Sequence, residues 1–252
     1  MCALRAVLFD FGHTLADFRF AQENLLTCYQ EVRAILVARA YVEVPEASAL
    51  MDDVSRQVAS KIITSYENQE LQELDLISLF DHALRGVGMQ LSRELLRQVA
   101  EMEHRALIAN IAAPEENLEV LRELKQHGLK LGLVSNATLL AELMHQDIER
   151  FGIAAYMDKA VFSSEVGVRK PHPAIFRTVL EGVAVAPEEA VFVGDRLHDD
   201  IGGAKQLGMK GVLTRQYRSE EIEAGKVQPD HVIDRLPELV PYVIGLMVRE
   251  VA

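Results

Sequence analysis

Residues 6–15 read Ala6-Val7-Leu8-Phe9-Asp10-Phe11-Gly12-His13-Thr14-Leu15. The first four side chains are apolar and predict a short buried strand, after which Asp10 opens a turn. In open α/β sheets, ligands bind outside the carboxyl ends of the strands. This stretch therefore predicts an α/β protein whose first strand delivers a carboxylate to the functional edge of a sheet.

The second half of the chain alternates strand-like and helical patterns. Apolar runs that predict further strands lie at 130–134, 159–162, 190–193, 211–214 and, more weakly, 231–233. Helical segments separate them, and this alternation favours a Rossmann-like, doubly wound parallel sheet with helices on both faces. We expect residues 1–17 and 110–252 to form this α/β core domain.

Residues 18–109 have a different character, because helical periodicity replaces the strand signal. Apolar residues at helical spacing start near Leu25, and further helices are predicted at about 45–65, at 71–85 and after the N-cap Ser92. We expect this segment to be an all-helical domain inserted between the first strand and the rest of the sheet.

Composition limits the classes of function. The chain has 252 residues, of which 49% are hydrophobic and 25% charged, and a formal net charge of -12. That charge argues against nonspecific nucleic-acid binding, which needs a basic face. No apolar run approaches the ~18 residues of a membrane span, and no signal peptide precedes the first strand, so we expect a cytoplasmic protein. The two cysteines, Cys2 and Cys28, predict neither a disulfide framework nor a metal site.

Polar residues follow four of the predicted strands. In chain order they are Asp10 and Thr14, then Ser135 and Asn136, then Lys170, and finally Asp195 with Asp199 and Asp200. Parallel strands bring such ends to one edge. Carboxylates with few nitrogen or sulfur partners suit Mg²⁺, while a lysine and a Ser-Asn pair suit a phosphoryl group. An Asp carboxylate can itself be the nucleophile.

These four segments, in this order, resemble the four motifs of the haloacid dehalogenase superfamily, and the helical insertion matches its C1-type cap (subfamily I). The resemblance covers essentially the whole chain and implies a phosphatase-like hydrolase. It implies that Asp10 is the nucleophile and a Mg²⁺ ligand. It further implies that Ser135 and Lys170 are catalytic, and that both bind the substrate together with Thr14 and Asn136.

The same resemblance implies that Asp195 ligates Mg²⁺. By spacing, both Asp199 and Asp200 lie near the expected place of the last metal-site carboxylate. Asp200 fits the family's continuation better, so we assign it there, in a supporting position, and interpret Asp199 as an acid favoured at a helix start.

Two positions depart from the family pattern. Family phosphatases usually carry a second Asp, a general acid and base, where this chain has Gly12. A backbone carbonyl at this position can still bind the metal, so Gly12 is retained as a predicted ligand, but it cannot protonate a leaving group. His13 is a hypothesis for the substitute acid, beside the alternative that it packs or caps the turn. The other departure, Arg196, stands where a small Ser is common.

The predicted function is a Mg²⁺-dependent phosphatase that hydrolyses a small phosphorylated metabolite through an aspartyl-phosphate. One alternative is a metal-independent 2-haloacid dehalogenase, which the missing second Asp would fit. Another is a catalytically weak protein of the same fold with a binding or regulatory role. The sequence identifies neither the substrate nor the oligomeric state.

Overall fold

A computed structural model of the chain describes residues 3–19, 22–39, 41 and 43–249. In this part of the chain, six strands form one sheet in the order β3-β2-β1-β4-β5-β6, and all neighbouring strands are parallel. The strands are β1 Ala6–Phe9, β2 Lys130–Ser135, β3 Lys159–Phe162, β4 Ala190–Gly194, β5 Lys210–Thr214 and β6 His231–Ile233. The predicted doubly wound α/β sheet is confirmed.

The sheet is covered on both faces. On one face, Leu8 of β1 and Phe192 of β4 pack in one cluster with Ile175 and Phe176. Successive strand residues point to opposite faces, and Val7 on the other face is also fully buried. Strands buried on both faces read as continuous apolar runs, which is why they were recognisable in the sequence.

Helices lie between the strands in the chain, and one more follows the last strand. They are α5 Glu115–Gln126, α6 Ala141–Arg150, α7 Ser163–Val166, α8 Pro173–Val183, α9 Gly203–Gln206 and α10 Leu239–Arg249. The sequence did not predict the short helix α7. The helix start expected at Asp199 is instead part of a π-helical turn, Leu197–Gly202, which is followed by the single turn of α9.

Contacts between Cα atoms divide the chain into two compact units. The first contains 1–18, 112–137 and 144–252, and the second contains 19–111 and 138–143. The second unit is helical, with α1 Gln22–Ala38, α2 Ala47–Glu67, α3 Leu76–Gly86 and α4 Arg93–Ile108. Its core consists of apolar side chains from all four helices, among them Val32, Leu50, Phe80 and Val99.

The ends of these helices follow local capping chemistry. The Ser92 side chain accepts a hydrogen bond from Leu95 N at 3.2 Å, which confirms the predicted N-cap. The prediction of a helix from residue 71 is wrong at its start. Asp75 caps α3, and Gln69 has a φ of 54°, so α2 is followed by a turn and then by an irregular segment that extends to Asp75.

In the ranges that the structure describes, no helix is both long and apolar enough to cross a membrane. Cys28 is a buried free thiol, and Cys2 lies outside the described residues.

Candidate active site

Strand register brings three of the predicted site residues to the carboxyl edge of the sheet. Phe9 pairs with Leu133 on one side and with Val193 on the other. Asp10 is therefore one residue beyond the paired Phe9. On the neighbouring strands, Ser135 and Asp195 are each two residues beyond the partner of Phe9. The three most central strands thus end in polar residues at nearly the same height.

Three buried carboxylates form a cluster at this edge. Oxygen atoms of Asp10, Asp195 and Asp200 all lie within 4.8 Å of one another, and each residue is at most 7% exposed. Three acids this close repel one another strongly when all are ionised. Such a cluster requires cations to balance its charge.

Lys170 supplies one of these cations from the loop before α8. Its Nζ lies 2.6 Å from Oδ1 of Asp10 and 2.7 Å from Oδ1 of Asp200. Burial alone would lower the pKa of a lysine, but the two carboxylates more than offset this and raise the pKa of Lys170. Lys170 is therefore a permanent cation between Asp10 and Asp200.

The pKa values of two of these acids show the same shortage of positive charge. Burial, opposed by Lys170, raises the pKa of Asp10 to about 6. Burial together with the charges of Asp10 and Asp200 raises the pKa of Asp195 to about 8. Lys170 alone leaves the cluster short of positive charge, and a bound divalent cation would hold all three groups ionised.

Asp200 reaches the cluster because β4 ends in glycine. A Cβ placed on Gly194 would lie 2.3–2.5 Å from the Asp200 side chain, so no larger residue fits without displacing that carboxylate. Asp200 is also held by a hydrogen bond from Arg196 N to its Oδ2, at 3.0 Å. The neighbouring Asp199 instead lies 2.9 Å from the exposed His198. The structure thus brings Asp200, rather than Asp199, to the cluster.

The segment after β2 fixes the backbone of the lysine loop. Asn136 accepts a hydrogen bond from Lys170 N at 2.7 Å and donates one to Lys170 O at 3.0 Å. Ala137 N donates to Ser163 Oγ at 2.7 Å. Asn136 therefore orients Lys170, a role that the sequence did not indicate, and its predicted contact with substrate stays a prediction.

The two hydroxyl residues predicted to bind substrate are both buried. Ser135 ends β2 and is 4% exposed, whereas Thr14 is fully buried. Within the described residues, no hydrogen-bond partner lies near Thr14 Oγ1. Substrate contacts of Ser135 and Thr14 stay predictions.

Gly12 lies in the turn after Asp10, where it bridges to Ala16. A Cβ at Gly12 would lie 3.4 Å from the ring of Phe18, a close van der Waals distance. A side chain at this position would therefore start in contact with Phe18.

His13 occupies a left-handed backbone conformation, with φ of 58°. Burial, reinforced by Arg218 and Arg196, lowers its pKa below the ordinary value of 6.5. At neutral pH the imidazole is mostly neutral. This argues against the hypothesis that His13 supplies the proton the missing acid would have donated.

Arg218 is a site residue that sequence reasoning missed. It lies in the loop after β5, and its Nη1 is 3.0 Å from Oδ2 of Asp195. Arg218 belongs to no sequence motif. The one feature of the sequence that could have indicated it is its position in a polar loop after a predicted strand. Arg196 is unexplained in the sequence. Burial lowers its pKa, but the charges of Asp199, Asp195 and Asp200 more than offset this and raise it.

Comparison with known proteins places this arrangement in context. A family model described as haloacid dehalogenase-like hydrolase matches residues 7–214. The chain is 30% identical over 242 residues to a glyceraldehyde 3-phosphate phosphatase of Methanopyrus kandleri, covering 95% of this chain and 97% of that protein. It is 34% identical over 162 residues to a phosphoserine phosphatase of Thermus thermophilus, covering 64% of this chain and 62% of that protein.

Solved structures show the same fold. The crystal structure of a 2-haloacid dehalogenase from Pseudomonas syringae superposes with a TM-score of 0.65 at 24% identity, covering 96% of this chain and 98% of that chain. At this identity the likeness concerns the fold alone.

Proposed function

The chain belongs to the haloacid dehalogenase-like hydrolases, and from this premise we propose that it is a Mg²⁺-dependent phosphatase of a small phosphorylated metabolite. The observation that carries the proposal is the buried cluster of Asp10, Asp195 and Asp200 with Lys170. A nucleophilic carboxylate beside two further carboxylates and one fixed ammonium group suits the transfer of a charged phosphoryl group.

The donor set fits a magnesium ion. Mg²⁺ prefers oxygen ligands and is commonly bound by one or two carboxylates together with waters and substrate oxygens. Asp10, Asp195 and the carbonyl of Gly12 would hold it, with Asp200 supporting the cluster. The bound ion would offset the charge of the phosphoryl oxygens and keep the carboxylates ionised.

In the first chemical step, a carboxylate oxygen of Asp10 attacks the phosphorus atom and the bond to the ester oxygen breaks. Asp10 becomes an aspartyl-phosphate, and the alcohol leaves with the bonding electron pair. Lys170 offsets the charge shared between Asp10 and the phosphoryl group, and Asn136 keeps that lysine in place. Ser135 would donate a hydrogen bond to a phosphoryl oxygen.

In the second step, a water molecule attacks the phosphorus of the aspartyl-phosphate, releasing inorganic phosphate and restoring the Asp10 carboxylate. Both steps involve a proton transfer that the family pattern assigns to an acid at the position of Gly12. Without that acid, the leaving oxygen takes its proton from water. We therefore expect esters with acidic alcohols to be hydrolysed faster than alkyl esters.

The remaining expectations belong to the same proposal. Residues 18–109 would act as the cap domain that selects the substrate. The enzyme would be cytoplasmic. The relatives named above act on glyceraldehyde 3-phosphate and on phosphoserine, so small phosphorylated carbon compounds of this size are the first substrates to test.

The test is a panel of small phosphomonoesters, including those two compounds and p-nitrophenyl phosphate, with phosphate release measured in Mg²⁺ and in EDTA. We expect Mg²⁺-dependent release by the wild type and loss of release in Asp10→Asn. Equal release by the two proteins would contradict the proposed nucleophile.

The same preparation separates the dehalogenase alternative. Chloride release from 2-chloropropionate in EDTA, without phosphate release from any ester in Mg²⁺, would favour that alternative. The close approach of Asp195 and Asp200 to Asp10 supports the metal-dependent reaction instead, because it concentrates negative charge that a cation would balance.

A further inference from the structure

The loop after β5 holds Arg218 in a defined position beside the carboxylate cluster. Residues two positions to either side of Arg218 are anchored by their side chains. Gln216 donates to Asn117 Oδ1 at 3.2 Å, and Glu220 accepts from Leu197 N at 2.7 Å. The guanidinium is therefore presented by a loop that is fixed at two points.

Arg218 is the second cation beside the carboxylate cluster, so two cations contact its three acids. Lys170 contacts Asp10 and Asp200, whereas Asp195 has Arg218 at 3.0 Å. The charge of Arg218 also lowers the pKa of Asp195 against the effect of burial. The same carboxylate is a proposed ligand of the divalent cation. Arg218 and the divalent cation would therefore both interact with Asp195.

We propose that Arg218 binds the anionic part of the substrate, and that it competes with the proposed divalent cation for the carboxylate of Asp195. This inference rests on the proposed metal-dependent function. The Arg218 side chain is 32% exposed and that of Asp195 is 3% exposed, so Arg218 is the partner that solvent and ligands can reach. A guanidinium has five N–H donors in a planar fork that matches phosphate and carboxylate oxygens.

Two opposite effects follow from this placement. A guanidinium beside a metal ligand repels the incoming cation and competes for the same carboxylate, so Arg218 weakens divalent binding. Once the cation has neutralised Asp195, the guanidinium is available to an anion, so Arg218 strengthens phosphate binding. A residue that only stabilised the loop would not shift these two affinities in opposite directions.

The experiment is calorimetric titration of the full chain with Mg²⁺ alone, and then with inorganic phosphate at saturating Mg²⁺. In Arg218→Gln, we expect the Kd for Mg²⁺ to fall roughly threefold to tenfold. The Kd for phosphate should rise about tenfold. Arg218→Lys retains the charge without the fork, so it should keep Mg²⁺ binding near the wild type and recover phosphate binding in part.

The matched control is Arg5→Gln, which removes the same charge at the opposite end of β1. We expect both of its affinities to equal those of the wild type. Unchanged or weaker Mg²⁺ binding in Arg218→Gln would overturn the inference, and so would unchanged phosphate binding. Absence of Mg²⁺ binding in both the wild type and Arg218→Gln would instead contradict the proposed metal-dependent function itself, and the inference with it.

Discussion

The ammonium nitrogen of Lys170 lies 2.6 Å from Oδ1 of Asp10, and the two side chains are only 2% and 10% exposed. These groups lie 160 positions apart in the chain and meet because parallel strands end at one edge. In the proposed reaction, Lys170 offsets the charge of the nucleophile before and during phosphoryl transfer. It also balances Asp200, so its removal affects both folding and turnover.

Lys170→Met removes this cation and leaves two buried carboxylates without it. We expect the free energy of unfolding of the metal-free protein to fall by about 3–5 kcal/mol. In Mg²⁺, turnover should fall at least about 10²-fold, because a fixed charge at the reacting group is lost. Urea unfolding and phosphate release measure the two effects. Lys125→Met removes a partly exposed lysine paired with Asp158 and should change stability by at most about 1 kcal/mol. Turnover of a folded Lys170→Met protein within threefold of wild type would contradict the assigned role.

Gly12→Asp restores the acid that the family phosphatases carry. The new Cβ would contact the Phe18 ring at 3.4 Å, so a small shift of that ring accommodates it. We expect hydrolysis of alkyl phosphates to rise, by up to about 10²-fold, while p-nitrophenyl phosphate changes little because its leaving group needs no proton. Gly12→Asn has the same shape without the acid. Equal rates for the Asp and Asn variants on alkyl esters would show that proton donation does not limit turnover.

Gly194→Ala tests the close approach of β4 to Asp200. The added methyl group would lie 2.3–2.5 Å from the Asp200 side chain, which Lys170 and Arg196 N hold in place. We expect Mg²⁺ affinity to fall about 10–100-fold and stability to fall by about 1–3 kcal/mol. Gly245→Ala makes the same substitution in α10, with nothing within 4 Å of the new methyl. That control should gain up to about 1 kcal/mol. Wild-type metal affinity in Gly194→Ala would contradict the packing argument.

Glu103 predicts a pH dependence of stability within the helical unit. This glutamate is 6% exposed and accepts hydrogen bonds from Tyr29 at 2.6 Å and Ser55 at 3.1 Å. Burial raises its pKa above the ordinary value of 4.5 in spite of these bonds. The folded state therefore favours the protonated acid, and this contribution to stability is present at low pH and is lost as the pH rises.

Glu103→Gln keeps the shape of the side chain and removes the ionisation. We expect the stability of the variant relative to the wild type to increase as the pH rises above 4.5, the ordinary pKa of a glutamate. Both proteins carry all the other titratable groups, so the difference in urea unfolding isolates Glu103. Glu101→Gln, at a more exposed site on the same helix, should show a smaller change with pH. A constant difference between Glu103→Gln and wild type would contradict the assignment.

Sequence patterns predicted the sheet well because its strands are buried on both faces. The runs at 159–162 and 231–233 match β3 and β6 as observed, and the other strands differ by at most one residue at an end. The helices were harder to delimit. The start of the third helix was predicted too early, because the spacing of apolar residues was followed back to residue 71. The observed helix begins after Asp75, whose side chain caps it.

The order of the motifs in the sequence was enough to predict that Asp10, Asp195, Asp200 and Lys170 share one site. Residues outside the motifs that contact this site could not be predicted in this way. Arg218 lies on an irregular loop without periodicity, and its ion pair with Asp195 depends on how the loop is anchored. The hydrogen bonds between Asn136 and the backbone of Lys170 likewise depend on tertiary geometry, and the sequence suggested only a contact with substrate.

The most direct test of the account is to trap the aspartyl-phosphate. The enzyme is mixed with a substrate from the phosphoester panel and Mg²⁺, quenched during turnover and reduced with borohydride, which converts an acyl phosphate to the alcohol. Peptide mass spectrometry then reports on residue 10. The account predicts homoserine at position 10 only when substrate and Mg²⁺ are both present. Turnover without any modification of Asp10, or with the modification on another carboxylate, would contradict it.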